Sequence, residues 1–215
     1  MPNKVGDAAP SVCFFQGRIY LAYRQASTDN NLCWAYYDVE TKTWKDFGQL
    51  KDSSSNKFES SITPALATDA YHIYMTYQQK GGTNIRWAVG TPSDAAPQGT
   101  TNNITWTDKG KIMTSAKGGT TNPDTNIGMT LQYANGVFLL VYTSTNNNLT
   151  QCALNGTDAT DTGSWIGSNT VKVGVNGSNT SAVQSSRAPG LAITSSGGFL
   201  MYRGNTHDEI YWAYY

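Results

Sequence analysis

The chain has 215 residues, with 15 Lys and Arg against 15 Asp and Glu; at a net charge of zero it builds none of the positive field that non-specific nucleic-acid or anionic-membrane binding needs. Only 14% of residues are charged and 12% are aromatic, and Glu occurs only at positions 40, 59 and 209, so the composition favours short strands and turns over helices. No apolar run approaches the roughly 18 residues that span a bilayer, and the first ten residues lack the apolar stretch of a secretory signal, which leaves secreted and cytoplasmic settings both open.

In chain order, PSVCFFQGRIYLAYRQASTDNNLCWAYYD from Pro10 reads as strand, turn, strand, turn, strand, with QG and TDNN as the turns. The layout returns in PALATDAYHIYMTYQQKGGTNIRWAVG from Pro64, with GGTN at the second turn. It returns again in GMTLQYANGVFLLVYTSTNNNLTQCALN from Gly128, with NG and TNNN. The fourth copy, PGLAITSSGGFLMYRGNTHDEIYWAYY from Pro189, uses SGG and NTHD and stops after its third strand. In the first three copies a further Trp follows (Trp44, Trp106, Trp165) and opens a fourth strand.

The anchors keep step. Tyr23, Tyr77, Tyr142 and Tyr202 end the second strands at intervals of 54, 65 and 60, and Trp34, Trp87, Gln151 and Trp212 share one place in the third strands. In IYLAYR both alternating faces are apolar, which a sheet covered on one side would not show. Sheets stacked face to face need both faces covered. The expected fold is therefore all-β, a β-propeller of about four blades, each a four-stranded antiparallel sheet. It forms one domain over residues 1–215, with repeats at about 10–52, 64–113, 128–173 and 189–215. A β-sandwich is the alternative. Residues 1–9 precede the first copy, and a strand at residues 3–5 is expected to complete the last blade.

The repeats resemble those of bacterial and fungal β-propellers of the lectin and sialidase-like kind. SITPAL and SRAPGL carry the opening of that pattern; Tyr23-Arg24 and Tyr202-Arg203, with LCWA and IYWA, carry the rest. Gly128, Thr143 and Gln151 make the third copy the most divergent.

Reactive groups are sparse. There are two histidines, His72 and His207, and no HExxH, nucleophile elbow, phosphate loop or Cys/His cluster. Cys13, Cys33 and Cys152 sit in apolar strand patterns and read as buried thiols. A glycosidase would need two spaced carboxyl groups, and a sialidase an arginine cluster, a Tyr nucleophile and an Asp-box of which only DTGSW at residues 161–165 persists. The expectation is thus no enzyme, no catalytic residue, no metal and no cofactor.

A sugar ring needs an aromatic plate and a few fixed donors and acceptors. Tyr23, Arg24 and Trp34, then Tyr77, Gln78 and Trp87, then Tyr202, Arg203 and Trp212 supply that set three times. The functional expectation is a multivalent carbohydrate-binding lectin whose partners are glycans or glycoconjugates. It involves neither nucleic acid nor membrane insertion, and a homo-oligomer fits it. A glycan-independent protein-binding scaffold or a toxin accessory domain is the alternative, with a glycoside hydrolase ranked after both.

Overall fold

The computed structural model describes residues 9–26, 30–93, 104–116, 119–155, 165–175, 179–194, 196–206 and 208–214. All regular structure among them is β, and each of the four repeats forms an antiparallel sheet. The expected all-β, four-bladed propeller class is the fold. The expected closing strand at residues 3–5, the DTGS part of the Asp-box fragment and His207 lie outside the described residues.

The chain falls into two compact units. The first comprises Met1–Gly82 with Arg86–Gly110. Its first sheet runs β1 (Ser11–Phe15), β2 (Arg18–Arg24), β3 (Leu32–Asp38), β4 (Thr43–Gln49) in that spatial order. Gln16 and Gly17 both have positive φ, which is the backbone a two-residue hairpin requires and the reason QG stands there. The second sheet runs β5 (Ala65–Thr68), β6 (Ile73–Gln78), β7 (Ile85–Pro92), β8 (Ile104–Lys111), again in chain order. Tyr20, Trp34 and Tyr36 of the first sheet pack with Leu66, Ile73 and Met75 of the second in one core. Each such side chain contributes roughly 1.5–3 kcal/mol on burial.

The second unit comprises Thr83–Ile85 with Lys111–Tyr215. Its larger sheet contains β9 (Thr114–Ala116), β10 (Gly119–Thr121), β11 (Gly128–Ala134), β12 (Val137–Thr143), β13 (Leu149–Asn155) and β14 (Trp165–Thr170). The order is β10-β9-β14-β13-β12-β11, with β9 parallel to β14. The third blade therefore carries a hairpin that a four-stranded repeat does not foretell. A separate hairpin, β15 (Lys172–Val175) with β16 (Asn179–Ala182), follows. The last sheet has three strands, β17 (Gly190–Thr194), β18 (Gly197–Arg203) and β19 (Ile210–Tyr214), as the short fourth copy implies.

Between repeats the chain is locked by a ring of three backbone hydrogen bonds. Leu32 N–H donates to Phe58 O, Phe58 N–H to Leu50 O, and Leu50 N–H to Leu32 O, at 2.9, 3.1 and 2.8 Å. Leu149, Val183 and Val171 repeat the ring at 2.7, 3.0 and 2.8 Å. At the middle junction Ile85 N–H donates to Pro123 O and Ile112 N–H to Ile85 O; proline has no N–H for the third bond. Leu32, Leu50, Ile85, Ile112 and Leu149 are fully buried, so these bonds satisfy polar groups that water cannot reach.

Candidate functional site

In β4 the sequence Trp44-Lys-Asp46-Phe-Gly48 builds a bulge. Trp34 pairs with Gly48 and Ala35 with Asp46, which leaves Phe47 as the extra residue. Gly48 supplies the positive φ and the Asp46 carboxylate accepts its N–H at 2.8 Å. Phe47 is thereby turned onto Trp34 with ring centroids 4.7 Å apart, and Trp106 meets Trp34 edge-on at 6.1 Å. The same spacing recurs at Trp106, Asp108 and Gly110, where Gly110 N–H donates to Asp108 at 2.9 Å.

These aromatic rings wall a cleft of about 410 Å³ in the first unit. Its polar lining comes from Gln49 and from Lys51, Asp52 and Ser53 in the turn after β4; Ile104 and Thr105 of β8 complete it. Ser53 N–H donates to Trp106 O at 3.0 Å, which ties that turn to the second sheet. Gln49 donates its side-chain amide to Asn31. Asp52 accepts from the Asn56 side chain at 2.9 Å and from the backbone N–H groups of Asn56 and Ser54 at 2.8 and 2.9 Å. Those bonds, the Asn56 side chain first, hold the Asp52 carboxyl below its ordinary range, so it stays ionised. Trp106 Nε1 is buried in the wall with no hydrogen-bond partner among the described residues.

A second polar cluster binds the last three strands of the second sheet. Arg86 donates to Asp108 at 2.6 Å and to the Tyr77 hydroxyl at 3.0 Å, and Tyr77 donates to Asp108 at 3.2 Å. Burial, then the Asp108 charge, pushes the Tyr77 phenol up, against the opposing pull of Arg86. In the first sheet Cys33 replaces Arg86, and burial followed by Asp46 raises the Tyr23 phenol to about 12.

The structure places the nine residues singled out from the sequence in unlike settings. Trp34 lines the cleft as a buried wall. Tyr23, Tyr77, Gln78 and Trp87 are buried within their sheets. Arg24 donates to Asn30 Oδ1 at 3.1 Å and to the Ser61 carbonyl at 2.7 Å, while Arg203 bonds the Asp208 carboxylate. Tyr202 stacks on Tyr211 at 5.6 Å and burial raises its phenol. Trp212 stands in solvent. The rest of the cleft escapes a search for repeats because Gln49, Lys51, Asp52 and Ser53 lie where the copies differ. The WxDxG pair was the available signal for Phe47 and Trp106.

No family model and no curated protein matches the chain. Solved structures do. The family 117 glycoside hydrolase of the marine bacterium Zobellia galactanivorans superposes with a TM-score of 0.56 at 15% identity, covering 97% of this chain and 65% of its own. A family 43 enzyme of Xanthomonas citri in complex with xylotriose gives 0.58 at 12% identity, covering 97% and 69%. A mutant Trypanosoma rangeli sialidase displaying trans-sialidase activity gives 0.52 at 12% identity, covering 98% and 38%. The likeness shows a shared fold. This chain spans less than two thirds of the family 117 hydrolase.

Two expectations are corrected by these likenesses. The resemblance to sialidase-like propellers stands at the level of the fold, but the lectin half of it finds no support, since the three similar structures are a family 117 glycoside hydrolase, a family 43 enzyme and a sialidase. The expectation of a multivalent lectin falls with it, and so does the expectation that the chain is no enzyme. The physical reason is visible in the repeats: the indoles of Trp34 and Trp87 are packed inside while Trp212 is exposed, so the copies do not present equivalent sugar plates.

Proposed function

We propose that the chain is a glycoside hydrolase whose substrate lies in the cleft of Trp34, Phe47 and Trp106. The observation that carries this reading is one cleft in which tilted and edge-on aromatic rings stand beside an ionised carboxylate, on a fold held in common with glycoside hydrolases. A sugar presents an apolar CH face to the half-buried Phe47 ring, which the buried indoles of Trp34 and Trp106 support from behind, and hydroxyls to Gln49, Lys51 and Ser53. Neutral oligosaccharides suit a chain of zero net charge, and xylotriose is the ligand of the family 43 relative.

Glycosidic hydrolysis needs one carboxylate as base or nucleophile and one group as proton donor. Asp52 takes the first part, because its three hydrogen bonds favour the charged form over the acid.

The test follows the release of reducing ends from xylotriose, arabino-oligosaccharides and sialyl-oligosaccharides by the purified chain. Asp52→Asn should reduce the rate by roughly 10²–10⁴-fold while circular dichroism stays that of the wild type. If the wild type cleaves none of the three, the reading fails. A fully active Asp52→Asn variant would remove Asp52 from the mechanism.

A further inference from the structure

The chain that leaves β4 turns back on itself within a few residues. Phe58 N–H donates to Leu50 O at 3.1 Å and Asp52 N–H to Asn56 O at 2.9 Å, and these two bonds bracket the antiparallel bridge of Lys51 with Lys57. Lys51 and Lys57 are therefore a non-hydrogen-bonded pair, the closer of the two antiparallel kinds, with both side chains on one face. Leu50 and Phe58 are buried in the core. Alternation along the strands sends Lys51 and Lys57 the opposite way, and there Lys51 lines the cleft together with Gln49.

Like charges directly opposite each other destabilise a pair of strands, so this lysine couple calls for a counter-charge. The turn does not supply one. Both lysines are exposed, and neither side chain makes an ion pair or a hydrogen bond among the described residues. The carboxylates beside them in sequence are engaged elsewhere. Glu59 accepts from Lys80 at 2.8 Å, and Asp52 accepts from Asn56 and from the Ser54 N–H inside the turn. Two ammonium groups side by side act as point charges, which suits a tetrahedral oxyanion. The planar fork of a carboxylate calls instead for an arginine, and none is among the described residues of the cleft lining.

We propose that Lys51 and Lys57 form an oxyanion site that takes a sulfate or phosphate ester carried by the oligosaccharide in the cleft. The site stands on its own geometry; that its anion arrives on a sugar rests on the reading of the cleft as a sugar site. With a net charge of zero over the whole chain, the pull is local. A neutral backbone lies against Phe47 and one charged substituent reaches the lysines.

The probes are xylotriose, its monosulfate and monophosphate esters, and inorganic sulfate, titrated while tryptophan emission and the lysine Nζ signals in NMR are followed. In about 20 mM salt the esters should bind about tenfold more tightly than xylotriose, the sum of two exposed ion pairs. In about 500 mM salt that advantage should largely disappear through screening. The tighter of the two esters names the substituent. Lys57→Gln should reduce the advantage to about threefold, and Lys51→Gln/Lys57→Gln should abolish it. Lys42→Gln/Lys172→Gln removes as much charge from exposed positions elsewhere and should keep it. Equal affinity of the wild type for xylotriose and both esters overturns the proposal while the cleft reading survives. So does an advantage that persists without Lys51 and Lys57, which places the anion elsewhere. Inorganic sulfate that leaves both lysine signals unmoved overturns the site itself. Sulfate that shifts them while xylotriose stays unbound supports the site and brings down only the cleft reading. All the substituted side chains are exposed, so the fold should persist, and the wild-type titrations decide even without the variants.

Discussion

Arg86 and Asp108 meet across the last two strands of the second sheet, Nη2 donating to Oδ2 at 2.6 Å. About three quarters of each side chain is covered, and the same carboxylate also accepts from Tyr77 and from the Gly110 N–H. Asp108 thus serves two ends at once: it accepts the Gly110 N–H within the strand bearing Trp106, and it neutralises a guanidinium held inside a sheet.

Replacing Asp108 with Ala should therefore cost about 1–3 kcal/mol, the penalty for leaving donors of this kind unsatisfied after allowing for partial solvent screening. Urea titration gives the number. Asp46→Ala in the first sheet, where Cys33 stands in place of Arg86, should cost less. Equal losses at the two sites would show that the Arg86 and Tyr77 bonds add nothing to stability.

Much of the fold was legible because it rests on local chemistry repeated four times. Turn dipeptides such as Gln16-Gly17 and Asn135-Gly136 demand positive φ, and the structure has it at all four residues. Apolar residues on both faces of β2 pointed to a sheet packed on both sides, but there only the face of Tyr20 and Ala22 is covered throughout and Ile19 on the other is exposed. The hairpin of β9 and β10 was not legible, since it occurs once and joins the third sheet through a parallel pairing. The cleft was hidden for a related reason. Recurrence led to Trp34, Trp87 and Trp212, but it marks a place in the strand and not a site: the first two are buried and the third is exposed, and Trp34 borders the cleft where the bulge brings Phe47 beside it. Asp52 belongs to an unrepeated turn, KDSSSN, whose chemistry appears once Asn56 and Ser54 are seen closing on its carboxylate.

Acid should weaken the fold through two turn carboxylates. Asp38 lies below its ordinary range, chiefly by the Thr41 backbone N–H, and Asp52 by the Asn56 side chain. With the folded pKa below the unfolded one, the unfolded chain binds more protons, so the stabilisation is present above the unfolded value of roughly 4 and is lost as pH falls through the folded value. The melting temperature should hold steady at neutral pH and fall below about pH 4. Asp52→Asn should flatten part of that decline, and an identical pH profile for the variant would assign the acid response to other groups.

Gly90 links the second sheet to the cleft. A Cβ on this β7 residue would stand 2.7 Å from Ile104 Cγ2 and 3.2 Å from two atoms of the Trp106 ring, so Ile104 and Trp106 must move to admit it. Both residues line the cleft, and Trp106 is the edge-on neighbour of Trp34. Overpacking of this size costs about 1–3 kcal/mol, and the displaced ring should spoil the aromatic wall as well. Gly90→Ala is expected to lower the melting temperature and to weaken the proposed oligosaccharide cleavage, while Gly82→Ala, whose nearest atom is 3.9 Å away, should leave the cleft untouched. Unchanged melting in Gly90→Ala would mean that Ile104 and Trp106 yield freely. The wall would then be too soft to hold a sugar ring in one orientation.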